Sequence, residues 1–123
     1  MPPPLGELEA EVMDQVWLQR EATVRSVLEA LNATSERARA YTTVMTVMSN
    51  LERKAMLSRR RDGKTDVYRP TVPREDYVEA RARIEAGALV GRFGESALMA
   101  FAREIERIDP ERRERLRRLG RDG

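Results

Sequence analysis

The spacing of the apolar residues changes once in the first part of the chain, and this change limits the folds open to it. In three segments, at about 6–19, 24–32 and 41–54, apolar side chains recur at the three- and four-residue intervals of a helix. Beyond them, Leu57–Arg61 and Thr65–Arg69 are typical of two strands joined by a turn at Asp62-Gly63-Lys64. Three helices followed by a hairpin is the order of the winged helix-turn-helix fold.

The remaining chain is predicted to be helical. One segment runs from about 73 to 92, Gly91 and Gly94 bracket a break, and Asp109-Pro110 is typical of the start of a last helix. We therefore predict a mainly α fold with a small two-stranded β wing. It comprises a winged helix-turn-helix DNA-binding domain over 1–72 and a helical dimerisation domain over 73–123.

Three residue types mark element ends in the first domain. Thr23 is a favourable N-cap for the second helix, and Asn32 is predicted to end that helix. Pro2–Pro4 cannot be helical, so we expect them to form a frayed arm.

Composition excludes several kinds of chemistry. The 123 residues include no Cys and no His, so disulfides, thiolate zinc sites and imidazole bases are absent. No serine has a partner base, and the glycines form no phosphate-binding loop. We expect no enzyme, no cofactor and no metal. No apolar run approaches the roughly 18 residues of a membrane span, and the start of the chain does not resemble a signal peptide. We therefore expect a cytoplasmic location.

The net charge of +2 conceals strong segregation. Residues 1–36 carry a net charge of −5, whereas residues 37–69 carry nine basic and three acidic residues, a net +6. A basic block over the third helix and the hairpin indicates a polyanionic partner, with a merely solvated basic surface as the alternative.

The third helix is predicted to have an apolar face and an exposed polar face, as a DNA recognition helix has. Short hydrogen-bonding side chains suit base edges, and arginines of the hairpin suit phosphates. The alternatives are an ordinary polar helix face and an edge strand protected by charge. The candidate DNA-contacting residues are Arg39, Thr42, Thr43, Met45, Thr46, Asn50, Arg53, Arg59, Arg60, Arg61 and Lys64.

The apolar stripes of residues 73–119 have no sheet to cover, so we expect them to be buried against a second copy of the chain. The alternative is that these helices fold back on the chain's own wing domain. The candidate dimer residues are Tyr77, Ile84, Leu98, Phe101, Ile105, Ile108 and Leu116.

Residues 40–54, AYTTVMTVMSNLERK, closely resemble the recognition helix of BlaI/MecI-type penicillinase repressors, particularly actinobacterial members. Residues 5–17, 23–27 and 67–70 are similar to the first helix, the second helix and the wing end of that family. The resemblance covers about 5–119. It implies a homodimeric repressor on a palindromic operator, often with TACA/TGTA-type half-sites.

The resemblance also implies roles for individual residues. Thr42, Thr43, Met45 and Thr46 match DNA-contacting positions, and Asn50, Arg53 and the wing arginines match phosphate contacts. The chain departs from the family in two respects. Many members have basic residues in place of Met45 and Asn50, and others have glycine in place of Ala55.

Derepression in this family involves a membrane sensor-protease that leads to cleavage of the dimerisation domain. Residues 96–101, SALMAF, resemble the cleaved segment and place a candidate scissile bond between Ala100 and Phe101. The family often has Asn before this bond. Phe101 can equally be a dimer-core aromatic. Release by copper at C-terminal cysteines, as in another branch, is excluded because this chain has no Cys.

Two other functions remain open from the sequence. A winged-helix protein-interaction module, or adaptor, would use the same scaffold without sequence-specific DNA binding. A non-specific DNA-packaging protein would be expected to have a larger positive excess than +2.

Overall fold

The computed structural model describes residues 2–122, and side chains for residues 2–120. Over this range the chain forms six helices and one antiparallel two-stranded sheet. The elements are α1 (Glu7–Gln19), α2 (Val24–Thr34), α3 (Tyr41–Arg53), β1 (Leu57–Asp62), β2 (Thr65–Pro70), α4 (Arg74–Phe93), α5 (Glu95–Arg107) and α6 (Pro110–Asp122). The predicted mainly α fold with a two-stranded wing is confirmed.

Helix α2 begins as predicted but ends two residues later. The Thr23 hydroxyl accepts a hydrogen bond from the Ser26 N–H, and the Ser26 hydroxyl accepts one from the Thr23 N–H, each at 3.0 Å. The prediction that Asn32 ends the helix is wrong. The Asn32 side chain instead accepts a hydrogen bond from the Arg39 N–H at 2.7 Å and donates one to the Arg39 carbonyl at 3.1 Å. Asn32 therefore holds the link between α2 and α3.

The wing is a hairpin with a two-residue turn. Asp62 pairs with Thr65, so Gly63 and Lys64 are the central residues of the turn. Gly63 has a φ of 63°, and a positive φ at the first central position alone is typical of a type II′ turn. Asp62, predicted within the turn, is the last residue of β1. Tyr68 also exchanges two backbone hydrogen bonds with Ala22, at 2.7 and 2.9 Å, and this bridge fixes the wing to the α1–α2 link.

The core of the first unit, residues 1–81, lies where the first three helices meet the base of the wing. Its buried side chains come from the periodic positions of α1, α2 and α3, from the α1–α2 link, from the wing and the residue before it, and from α4. They are Val12, Met13, Val16, Ala22, Val24, Val27, Leu31, Val44, Met48, Leu51, Met56, Leu57, Tyr68 and Tyr77. Burial of this apolar set is the main stabilising term for the unit.

Polar contacts at the edge of this core join elements that are distant in sequence. Lys54 donates to both carboxylate oxygens of Glu9 at 2.8 Å, which ties the end of α3 to the start of α1. These hydrogen bonds, together with one from the Gly6 N–H, hold the pKa of Glu9 below its ordinary value. Trp17 donates its indole N–H to the Val72 carbonyl at 2.9 Å.

The N-terminal prolines are not a frayed arm, and that expectation is wrong. The Tyr77 hydroxyl donates to the Pro3 carbonyl at 2.7 Å, and Arg81 donates to the Pro2 carbonyl at 3.3 Å. The carbonyl oxygens of an extended proline segment have no partners of their own, so donors on α4 can hold the segment in place.

Residues 82–123 form a second compact unit. Within it α4 ends at Phe93, Gly94 adopts a φ of 56°, and α5 begins at Glu95, which confirms the predicted break. The boundary that we predict at residue 72, between a DNA-binding domain and a dimerisation domain, stays a prediction. No helix in the described part of the chain is long and apolar enough to cross a membrane.

Candidate nucleic-acid interface

Helix α3 presents a polar face opposite its buried face. Val44, Met48 and Leu51 are fully buried. On the other side, Thr42, Thr43, Met45, Thr46 and Arg53 are exposed, and Ser49 and Asn50 are half-buried. Thr42, Thr46, Ser49 and Arg53 follow at helical intervals, so they form one continuous strip. The strip is neutral along most of its length and becomes cationic at its C-terminal end.

The N-terminus of α3 is open. Ala40 occupies the N-cap, and no described side chain caps the helix. The first intrahelical bond runs from the Val44 N–H to the Ala40 carbonyl at 3.2 Å, so the N–H groups of residues 41–43 lack helical partners. Such an end favours an anion through its N–H groups and its dipole.

Arg39, just before α3, is a half-buried member of the predicted contacts. Its guanidinium lies 3.4 Å from the Glu11 carboxylate, and its side chain is 29% exposed. Its backbone is fixed by Asn32. Arg53, at the other end of α3, is exposed and hydrogen-bonded to the Asn50 side chain.

Each predicted arginine of the wing lies against a carboxylate. Arg59 is 3.2 Å from Glu52, and Arg61 is 3.1 Å from Asp66, its cross-strand neighbour. Asp66 is also 3.6 Å from Arg59. The carboxylate of Glu52 raises the pKa of Arg59. Because these side chains are largely exposed, the pairs contribute little to stability and can exchange for other anions.

Glu21 joins the two strands of the wing from outside the sheet. Its carboxylate lies 3.2 Å from Arg60 on β1 and 3.3 Å from Arg69 on β2. The adjacent Ala22 forms the backbone bridge to Tyr68, so Glu21 is held in place by the fold. Lys64, at the tip of the wing, forms no ion pair with any residue that the structure describes.

A groove of about 660 Å³ separates α3 from the wing. Met45 and Ser49 line it from α3, and Arg59 and Lys64 line it from the wing. Arg25, on the first turn of α2, lines the same groove, with its guanidinium 5.3 Å from the centre of the Tyr41 ring. Arg25 is not among the DNA-contacting residues predicted from the sequence. Arg25 lies on the helix before the recognition helix, and in this motif that earlier helix crosses the DNA backbone. This position could have indicated Arg25 as a DNA contact.

The predicted dimer residues do not all share one surface. Tyr77 is buried in the first unit, with its ring centre 5.6 Å from that of Trp17. In the second unit Leu98, Ile105 and Leu116 are exposed. Ile84, Phe101 and Ile108 are half-buried. Leu89 and Phe93, which the sequence analysis did not select, line a small cavity of about 220 Å³ together with Phe101.

No described group of acidic residues is arranged to hold a metal ion. The described surface that combines exposed hydrogen-bonding side chains with exposed cations is formed by α3 and the wing. A helix-turn-helix with such a wing defines the class of winged-helix DNA-binding proteins.

Comparison with known proteins places the chain within that class. A sequence model of the penicillinase repressor family matches residues 5–121. The transcriptional regulator BlaI of Mycobacterium tuberculosis is 39% identical over 117 residues, which cover 93% of this chain and 80% of that protein. The penicillinase repressor of Bacillus licheniformis is 28% identical over 80 residues, or 65% of this chain and 61% of that protein. The chain belongs to the penicillinase repressor family.

A solved structure has the same fold over part of this chain. The monomeric form of Bacillus licheniformis BlaI in complex with the blaP half-operator is 27% identical and has a TM-score of 0.52. The match covers 63% of this chain and 92% of that one.

Proposed function

We propose that this chain acts as a homodimer and represses transcription by binding a palindromic operator through α3 and the wing. Its membership of the penicillinase repressor family makes it a DNA-binding transcriptional repressor. To this function we add that the chain acts as a homodimer, that individual residues contact bases or phosphates, and that cleavage causes dissociation from the operator. It assigns the chain no catalytic activity and places its action in the cytoplasm, where a bacterial operator lies.

The exposed strip on α3 is the observation that carries the proposal. Thr42 and Thr46 offer hydroxyl and methyl groups to base edges, and Met45 offers an apolar surface to a thymine methyl. Thr43 and Asn50 flank this strip, and Arg53 extends it toward a phosphate. The open N-terminus of α3 suits another phosphate.

The wing supplies contacts that are independent of base sequence. Arg59, Arg60 and Arg61 exchange their carboxylate partners for phosphates, and Lys64 contacts the backbone directly. Arg25 is added to this set because it lines the groove between α3 and the wing. Arg39 is proposed to exchange its partner Glu11 for a phosphate in the same way.

Dimerisation follows from the limited reach of one recognition helix. One helix contacts only a few base pairs, and a second copy doubles the contacts and fixes the spacing of the half-sites. The exposed apolar residues of α5 suit a two-fold interface in which the same surface of each copy takes part. Leu98, Phe101 and Ile105 are its proposed centre, with Ile84, Ile108 and Leu116 around them.

Release from the operator is proposed to follow cleavage between Ala100 and Phe101 by a membrane sensor-protease partner or a protease that it activates. Both residues lie inside α5, where the backbone is helical. A protease requires extended backbone, so α5 must unwind locally before the bond is cut. Cutting there would separate Phe101 from Leu98 and divide the proposed interface.

Two substitutions test the division of labour. Thr46→Ala should lower the ratio of operator to random-duplex affinity by about tenfold, because a lost base contact costs about 1–3 kcal/mol of discrimination. Arg60→Ala should weaken both affinities and leave their ratio unchanged. Thr34→Ala, an exposed threonine at the end of α2, is the matched control. Competition binding at fixed salt measures all three. An unchanged ratio in Thr46→Ala would refute direct base readout by α3.

A further inference from the structure

The charge of the second unit is concentrated at its C-terminal end. Residues 110–122 contain six arginines and three acidic residues, a net charge of +3. The rest of the unit, residues 82–109, carries four arginines and five acidic residues, a net charge of −1. A chain that needed charge only for solubility would not require this separation.

These arginines lie on one formed helix. The Asp109 carboxylate accepts a hydrogen bond from the Arg112 N–H at 2.9 Å, as an N-cap residue does, and this bond lowers the pKa of Asp109. Helix α6 then runs from Pro110 to Asp122. The helix therefore sets the spacing of these arginines along its backbone.

Part of this charge is available to a ligand, although Arg113 is half-buried. Within the described side chains, Arg117 is paired with Glu114 at the long distance of 3.8 Å. Arg113 and Arg118 form no ion pair with a described residue. The arginines of the wing, by contrast, each lie against a carboxylate at close range.

The composition of α6 identifies the chemistry of its partner. All its cations are arginines. A planar guanidinium group can donate two parallel hydrogen bonds to two oxygens of one phosphate. Its apolar residues besides Pro110 are Leu116 and Leu119, which is too small an apolar face for stable insertion into a bilayer. A phosphate backbone fits this helix better than a membrane surface.

We propose that α6 is a second contact surface for duplex DNA, which binds the phosphate backbone without regard to base sequence. This inference rests on the proposed function, because a repressor held on DNA by its first unit raises the local concentration of duplex available to α6. A dimer presents two such helices. Helix α6 therefore raises the affinity for operator and random duplexes alike. The preference for operator over random sequence comes from α3.

The test replaces Arg113, Arg117 and Arg118 with Gln in the full chain and leaves Leu116 and Leu119 in place. Affinity for a random-sequence duplex should fall about tenfold near physiological salt. The slope of log affinity against log salt should become shallower by roughly 2 to 3 for each α6 that contacts the duplex, at about 0.9 per lost phosphate contact. The ratio of operator to random affinity should stay unchanged.

Two companion variants make the result specific. The same three positions changed to Lys keep the charge and should retain most of the salt slope. Arg92, Arg103 and Arg107 changed to Gln remove an equal charge from α4 and α5 and should change the slope by much less. Light scattering compares the oligomeric state of every variant.

Several results would overturn the inference. They are a Gln variant with the slope of the unmodified chain, a Lys variant as weak as the Gln variant, or an equal loss in the α4–α5 control. A loss that accompanies a change in oligomeric state would do the same, as would a Gln variant that loses binding to anionic vesicles without losing affinity for duplex DNA. In each of these cases Arg60→Ala still weakens duplex binding if the proposed function holds. A failure of the unmodified chain to bind any duplex would refute both proposals.

Discussion

At the scale of single residues, the backbone at Ala55 stands out because an alanine occupies a left-handed conformation, with a φ of 62°. It follows α3 directly. The Met56 N–H bonds to the Leu51 carbonyl and the Ala55 N–H to the Glu52 carbonyl, each at 2.9 Å. This pair of bonds is a Schellman motif, and its C′ position usually holds glycine. The alanine therefore carries conformational strain that glycine would not.

Ala55→Gly should raise the free energy of unfolding by about 1 kcal/mol. The side chain is exposed, so the substitution loses no packing. Ala30→Gly within α2, at ordinary helical dihedrals, should lower the same quantity by about 1 kcal/mol. Urea denaturation of both variants measures the difference. Destabilisation of both would show that Ala55 is not strained.

Glu21 tests whether the carboxylates of the wing compete with phosphate. Glu21→Gln frees Arg60 and Arg69 from their shared partner and removes a negative charge near the proposed DNA path. We expect affinity to rise about two- to fivefold for operator and random duplex alike, in line with the small worth of exposed ion pairs. Glu7→Gln, which removes a charge from the start of α1, is the control. Weaker binding in Glu21→Gln would mean instead that Glu21 positions Arg60 for contact.

At the scale of elements, the open start of α3 links helix stability to DNA binding. Ala40→Asp should cap the helix and raise stability by about 1 kcal/mol. The new carboxylate would occupy N–H groups and repel a phosphate, so DNA affinity should fall about tenfold, on the scale of a charge-assisted hydrogen bond. Ala40→Ser caps without charge and should cost less affinity. Thermal denaturation and duplex titration measure the two effects. Equal affinity in all three proteins would exclude a phosphate at this helix end.

The elements were largely predictable from the sequence, because they follow from local rules. The periodic apolar positions gave three helices, Thr23 gave the start of α2, and the turn at Gly63 gave the hairpin. The errors involve partners that are distant in sequence. Asn32 bonds to Arg39 instead of ending α2, and Pro3 is held by Tyr77. A single sequence does not reveal such pairings.

The sequence predicted the exposed residues of the candidate site, but it did not predict the ion pairs that its arginines form. The exposed strip of α3 follows directly from helical geometry. The pairing of Arg59 with Glu52 and of Arg60 with Glu21 depends on how the wing docks against the helices. Arg25 joins the groove for the same reason. Sequence spacing alone places none of these contacts.

At the scale of the whole molecule, the second unit is proposed to supply the dimer interface that one recognition helix lacks. Phe101→Glu should place a charge in the proposed interface and shift the dimer to monomer, because an unpaired buried charge is strongly disfavoured. Operator affinity should then fall by at least about tenfold, as the second set of contacts is lost. Arg103→Glu, on another face of α5, is the control. Sedimentation measures the mass. A Phe101→Glu protein that stays dimeric would remove Phe101 from the interface.

We propose above that two copies of α3 in a dimer bind DNA in a sequence-specific manner. Selection from randomised duplex DNA near physiological salt, followed by sequencing of the bound fraction, tests it most directly. We expect an enriched palindrome whose half-sites are about one helical turn of DNA apart, or a multiple of that distance. Enrichment of a single half-site would contradict the dimer. Binding without an enriched motif would contradict base readout by α3, and no binding would favour a protein-interaction module.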